Sequence, residues 1–148
     1  MDIILIAAIT MDGYIAHQSD EVITWSKDLK LFKKQTMGYP VIMGSHTEKT
    51  LAVELEGREQ IVVHRNDKPE KILGELNSKR CFIIGGGRTY TKFAPFLTHM
   101  YITPHPIIFG KGIQLFSNLE EEIPLKFIRK ITVDETNGIF QFQYRTIR

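Results

Sequence analysis

The sequence predicts an α/β fold: a mixed, mostly parallel central sheet flanked by helices, closed by a C-terminal antiparallel hairpin. Three observations predict it. Short apolar runs alternate with amphipathic stretches along most of the chain, the order that builds parallel sheets. Two of those runs end in glycine just before a helix start, Met43-Gly44-Ser45 and Ile84-Gly85-Gly86-Gly87. The last part changes character and places Asn137-Gly138 between β-rich segments, a strong hairpin signal.

The elements follow in order. Residues 2–9 are almost wholly apolar, as in a strand covered on both faces. Asp12-Gly13 marks a turn. Residues 14–26 form a long polar connection, and a loop of that length in a compact domain is more often functional than idle. From about residue 27 to 37 the pattern is helical, with Leu29 and Phe32 on one side and lysines on the solvated other. Gly38 stops this helix. Residues 39–43 give a second buried strand. Ser45-His46-Thr47 opens a short helix, with Thr47 or Ser45 expected as its cap. Residues 59–64 form a third strand, and a helix begun by Pro69 runs to Leu76. Residues 81–84 form the fourth strand, before a helix to about Phe96. Residues 100–103 form the fifth. Residues 125–133 and 139–147 make the hairpin.

Composition narrows the function. The chain has 148 residues, enough for one domain over 1–148 with a full core. A net charge of +2 is too small to argue for nucleic acid or an anionic membrane. No apolar stretch approaches a membrane span. The start carries Asp2 and no basic region, so it reads as a strand and not a signal peptide. Cys81 is the only cysteine. That excludes a disulfide framework and a cysteine zinc site and fits a reducing cytoplasm. No cluster of His, Asp and Glu points to a metal.

The run Ile83-Ile84-Gly85-Gly86-Gly87-Arg88-Thr89-Tyr90 is the most telling. Glycines let the backbone approach a ligand, and a helix opening after a strand offers free N–H groups to a phosphate. A tight turn between packed elements would look similar. In open α/β sheets, ligands bind at the carboxyl ends of strands, so two such turns on one edge could hold a dinucleotide. The spacing does not fit the Rossmann fingerprint, and a Walker lysine is missing.

Several motifs in order resemble the dihydrofolate reductase superfamily. They are Ile6-Ala7-Ala8, Asp12-Gly13-Tyr14-Ile15-Ala16, Asp28-Leu29-Lys30-Leu31-Phe32, Pro40-Val41-Ile42-Met43-Gly44-Ser45-His46-Thr47, Gly57-Arg58, the glycine run, and Tyr101-Ile102-Thr103. The resemblance covers most of the chain to about residue 105. It implies a dihydrofolate reductase-like fold, hydride transfer from NADPH to a pterin, most simply 7,8-dihydrofolate, and a cis peptide between Gly85 and Gly86. Asp28 would favour the protonated pterin, with the Thr103 hydroxyl supporting it. Aspartate in the first turn of a helix is also common for structural reasons alone. Ile6, Ala7, Leu29, Phe32, Leu51, Ile84 and Tyr90 would line the substrate cleft. Arg58 would clamp the glutamyl carboxylate, as a guanidinium fork can. For the cofactor, the resemblance implies Ala8, Ile15 and Ala16 near the nicotinamide. It implies Gly44, Ser45, His46, Thr47, Gly86, Gly87, Arg88 and Thr89 around the pyrophosphate, and Arg65 with His64 and His46 at the 2′-phosphate. A homodimer is expected by analogy, with residues 100–109 supplying an edge.

Departures open other readings. Ser45 stands where the family usually has a basic residue, Glu56 where proline is usual, and Trp25 lies unusually close to Asp28. Residues 11–16 and Pro106-Ile107-Ile108-Phe109-Gly110-Lys111-Gly112-Ile113-Gln114-Leu115-Phe116 resemble the reductase of riboflavin synthesis. That relative reduces a ribosylaminopyrimidine phosphate with the same fold and cofactor. A non-catalytic nucleotide-binding protein is the third reading.

Overall fold

The computed structural model describes residues 1–51 and 55–148. Its first strand, β1 (Asp2–Thr10), is the apolar run at the start of the chain. Beside it lies β5 (Arg80–Gly85), paired in parallel from Asp2 opposite Arg80 to Leu5 opposite Ile83. On the other side β6 (His99–His105) is also parallel. Further out lie β3 (Val41–Gly44) and β4 (Gln60–Val63), both parallel. The hairpin of β8 (Leu125–Asp134) and β9 (Ile139–Thr146) joins antiparallel through β9 to β6. The order across the sheet is β4-β3-β5-β1-β6-β9-β8.

The central strands are apolar throughout because both faces are covered. One face packs Leu5, Ile42, Ile83, Phe93 and Leu97, and the other Ile4, Val41, Met43 and Phe82, all nearly or fully inaccessible. Each such side chain stabilises the fold by about 1.5–3 kcal/mol relative to exposure. Cys81 lies in the first cluster, and burial pushes its thiol pKa up to about 12, so it is an inert core residue. The helices are α1 (Leu29–Thr36), α2 (Ser45–Thr50), α3 (Pro69–Gly74) and α4 (Gly87–Phe93), the last followed by a 3₁₀ turn over Ala94–Phe96. Among the described residues, no helix is long and apolar enough to cross a membrane.

Four expectations need correction. The connection after β1 is not all loop: β2 (Tyr14–Ala16) pairs antiparallel with β7 (Ile113–Gln114) in a small second sheet. That pairing joins segments far apart in sequence, so local propensity could not reveal it. β6 is no edge, because β1 and β9 flank it; the outer strands are β4 and β8. The N-cap of α2 is Gly44, without a side-chain cap bond, so neither Ser45 nor Thr47 caps it. The helix expected to run to Phe96 tightens at Ala94, where Pro95 follows.

Candidate functional site

The parallel strands β3 and β5 end side by side, and beyond their carboxyl ends opens a cavity of about 780 Å³. Backbone builds its floor. The peptide between Gly85 and Gly86 is cis, as the resemblance implied. Gly85 has φ +135°, a conformation that side-chain-bearing residues rarely adopt. A Cβ on Gly44 would stand 2.9 Å from the Thr89 hydroxyl, and one on Gly85 3.2 Å from the Thr47 hydroxyl. The two turns therefore interlock, each hydroxyl lying against the glycine of the other. A Cβ on Gly87 would meet the Gln114 carbonyl at 2.9 Å, so β7 lies tight against this floor. Gly112 is held as closely: its Cβ would come 2.3 Å from the Ala16 carbonyl.

At the other end of the cavity is Asp28. It is the N-cap residue of α1, yet its carboxylate makes no capping bond; the Asp28 carbonyl accepts the Phe32 N–H at 2.9 Å. The side chain points instead into the cavity wall and is 7% exposed. Burial raises the Asp28 pKa, opposed by His105 and by the Thr103 hydroxyl. Thr103 is fully buried, and its oxygen stands near Asp28 but outside full hydrogen-bond geometry. The Tyr90 hydroxyl donates to the Ile6 carbonyl at 2.8 Å. Burial and then the Asp28 charge hold Tyr90 far above its ordinary pKa, so it stays a neutral donor.

The structure brings most of the expected residues to this one cavity. Ile6, Ala7, Leu29, Phe32, Leu51 and Ile84 wall the end around Asp28. Ala8, Ile15 and Ala16 line it from β1 and β2. Ser45, His46 and Thr47 stand over one glycine turn, and Gly86, Gly87, Arg88 and Thr89 form the other. His64 and Arg65, both exposed, close the far end after β4.

Two expected residues lie elsewhere. Thr103 sits behind Asp28, off the cavity surface. Arg58 is 7% exposed and borders a separate depression of about 270 Å³ with Lys33 and Met37. Its guanidinium donates to the Thr36 hydroxyl at 3.2 Å and to the Glu56 carbonyl at 3.1 Å. Desolvation lowers its pKa from the usual arginine value.

Sequence reasoning missed several lining residues. Gln18, Ser19, Glu21, Ile23 and Ser26 come from the long connection, Ile113 and Ser117 from the segment around β7. No local pattern marks these. Lys92 was findable: it lies one turn beyond Arg88 and Thr89 on α4, the i+3 and i+4 spacing that shares a helix face. Its ammonium donates to the His64 and Arg65 carbonyls, each at 3.1 Å, pinning the end of β4 beside the cavity. Among the described residues, no group of His, Cys, Asp and Glu could hold a metal ion.

A glycine-floored cleft at the carboxyl edge of a mixed α/β sheet, with a buried acid at one end, is where an α/β domain of this kind binds a nucleotide-sized ligand. The model of the family "Dihydrofolate reductase" matches residues 2–140, and the chain belongs to that family. The type 3 dihydrofolate reductase of Salmonella typhimurium is 32% identical over 117 residues, covering 70% of this chain and 71% of that one. In fold, the chain resembles the dihydrofolate reductase of Enterococcus faecalis, solved with NADP(H) and RAB-propyl. The TM-score is 0.78 at 21% identity, over 99% of this chain and 97% of the other. It also resembles a protein from Shewanella sp. PV-4 assigned to riboflavin biosynthesis, with TM-score 0.66 and 20% identity over the full length of both. The protein is thus an enzyme, an oxidoreductase of the nicotinamide-dependent class acting on folate-like substrates.

Proposed function

We propose that this chain reduces 7,8-dihydrofolate to tetrahydrofolate with NADPH, and that Asp28 favours the protonated form of the substrate. One observation carries the reading. An aspartate at a helix N-cap normally spends its carboxylate on the helix. Asp28 does not, and keeps it buried at the end of the cleft. A carboxylate there can accept the amino and ring N–H groups of a pterin and raise the protonated fraction of the C=N nitrogen, which must gain a proton as the carbon gains the hydride. The raised pKa of Asp28 suits proton exchange nearer neutral pH than an ordinary aspartate allows. Thr103 supports the carboxyl from behind. Ile6, Ala7, Leu29, Phe32, Leu51, Ile84 and Tyr90 hold the rings and keep water from them.

The cofactor would lie over this floor, where Gly44 and Gly85 lack the Cβ that would press on the Thr89 and Thr47 hydroxyls and so let the two turns sit close together. Gly44, Ser45, His46 and Thr47 on one turn and Gly86, Gly87, Arg88 and Thr89 on the other would hold its pyrophosphate. Ala8, Ile15 and Ala16 would flank the nicotinamide, and His64 and Arg65 the 2′-phosphate. When bound, NADPH supplies the hydride. Arg58 would clamp the glutamyl tail only where that tail leaves the cleft and reaches the separate depression lined by Lys33, Met37 and Arg58.

The pyrimidine reading draws on residues 106–116. That segment packs against Gly87 and Ala16, on the cofactor side, so it bears on the shared cofactor rather than on the substrate. The test is NADPH oxidation with dihydrofolate and, separately, with the riboflavin-pathway ribosylaminopyrimidine phosphate. Turnover of dihydrofolate is expected. Turnover of the pyrimidine alone overturns the proposal, and cofactor binding without turnover of either makes the chain a binding protein.

A further inference from the structure

His105 ends β6, is 2% exposed and takes no direct part in lining the cleft. Its Nδ1 lies 2.8 Å from the Thr103 carbonyl, and its Nε2 accepts the Lys27 backbone N–H at 2.9 Å. A carbonyl can only accept, so Nδ1 carries the proton. A backbone N–H can only donate, so Nε2 keeps its lone pair. The two bonds together select one neutral tautomer. The Trp25 ring stands edge-on to the imidazole at 5.3 Å and is itself met edge-on by Phe109 at 5.4 Å. Lys27 is the residue before Asp28, and the bond from Lys27 to His105 spans 78 residues of chain. Asp28 spends no side-chain bond on α1, so the helix itself does not aim its carboxyl.

We propose that His105 is a positioning residue for Asp28: as a neutral imidazole it ties the Lys27 backbone to β6 and so fixes the direction of the carboxyl. The inference rests on the role given to Asp28 above. Protonation of Nε2 would set two donors against each other and release the tie. Glu21 reaches Trp25 from the long connection and is engaged by the His17 backbone N–H and ring, and His17 stacks on Phe109. Asp28, the N-cap residue of α1, is near enough to the imidazole to interact with it electrostatically. Asp12, at the end of β1, is engaged by the Thr10 hydroxyl and the Phe109 and Gly110 amides. The Lys27 side chain is exposed and offers the ring only its backbone.

Nitrogen-15 NMR of the unaltered protein tests the tautomer without any substrate. The expected result at neutral pH is a protonated Nδ1, an unprotonated Nε2 and a slowly exchanging Lys27 amide. The opposite tautomer or an imidazolium overturns the proposal. Two variants test the consequence. His105→Phe removes both bonds and keeps the ring; His105→Gln keeps an acceptor and a donor. Carboxyl carbon-13 titration of His105→Phe should show Asp28 moving down toward an ordinary aspartate, as the freed side chain reaches water. An upward move would mean that His105 acts as a cation, and no move that it fixes nothing; either overturns the proposal. With dihydrofolate, His105→Phe should lower kcat about tenfold with little change in the KM for NADPH, and His105→Gln should recover most of the loss. Equal losses in both variants, or unchanged kcat in His105→Phe, count against it. If the unaltered protein does not turn over dihydrofolate, the proposed substrate fails while the two NMR readouts still decide the role of His105.

Discussion

The two ends of the cleft are built from different materials. The end where we propose the cofactor binds is backbone: glycines at the ends of β3 and β5, with the short helices α2 and α4 opening after them. The end proposed for the substrate is side chains, with Asp28 from the cap of α1 held among Thr103, His105 and Tyr90 from β6 and α4. A backbone site fails when something is added to it. A side-chain site fails when a functional group is removed. Substitutions of each kind therefore break the comparison in opposite ways.

The largest expected effect is at the acid. Asp28→Asn should cut turnover of dihydrofolate at neutral pH by about 10²-fold, while NADPH binding changes little. Steady-state kinetics with fluorescence titration of NADPH checks both halves, and full activity would remove Asp28 from the chemistry. At the other end, Gly87→Ala adds one methyl where the Gln114 backbone carbonyl would stand 2.9 Å away. Neither side is a flexible side-chain tip, so the turn or β7 must shift. NADPH affinity should fall about tenfold, within the usual range for overpacking, while the titration of Asp28 stays unchanged. A Gly87→Ala variant with wild-type affinity would show that the floor is soft.

Arg58 crosses the division, since it is a buried cation already bonded to Thr36 and Glu56. Arg58→Ala should weaken dihydrofolate about tenfold and spare a tailless dihydropterin. It should also lower the melting temperature, because those protein bonds are lost. Equal weakening of both substrates would make Arg58 purely structural.

The acid end should also show its cost in stability. Asp28 titrates higher in the fold than in the unfolded chain, so its charged form opposes folding above that value. Asp28→Asn should then stabilise the protein at neutral pH by on the order of 1 kcal/mol, about 2–4 °C in Tm. Between the ordinary aspartate value and the raised one, the folded state holds the extra proton, so wild-type stability gains as pH falls. The gap between the two proteins should therefore narrow on acidification. Calorimetry from neutral to acidic pH measures it, and a constant gap would mean that Asp28 is not strained by burial.

The same contrast explains what could be read from the chain alone. The glycine turns and apolar strands were legible because the residues themselves are the signal: glycine where a Cβ has no room, unbroken apolar runs where both sheet faces are covered. The pairing of β2 with β7 was not, since Tyr14 and Gln114 meet only in the folded chain. Thr103 beside Asp28 was implied by the resemblance, but the bond between His105 and the Lys27 backbone next to it was not. His105 carries no local pattern that links it to Lys27, and Trp25 shows only an unusual spacing. Arg58 was legible as a cation beside a turn, but its burial against Thr36 was not.

The smallest expected effect lies at the rim of the cofactor end, where side chains return. Arg65 is exposed, so its charge acts through water and is worth little per contact. A phosphate dianion still gains from a guanidinium fork. Ser45 brings no charge to the opposite turn, which leaves Arg65 beside Lys92 and the histidines. Lys92 already spends two of its N–H bonds on the His64 and Arg65 carbonyls. Arg65→Ala should therefore narrow the preference for NADPH over NADH by only about threefold to fivefold, through the KM for NADPH and not through kcat. The effect should shrink further at high salt, where exposed charges are screened. An unchanged ratio at low salt would move selection for the 2′-phosphate from Arg65 to Lys92 and its neighbours, and a matching loss in kcat would show that the rim also positions the reacting end.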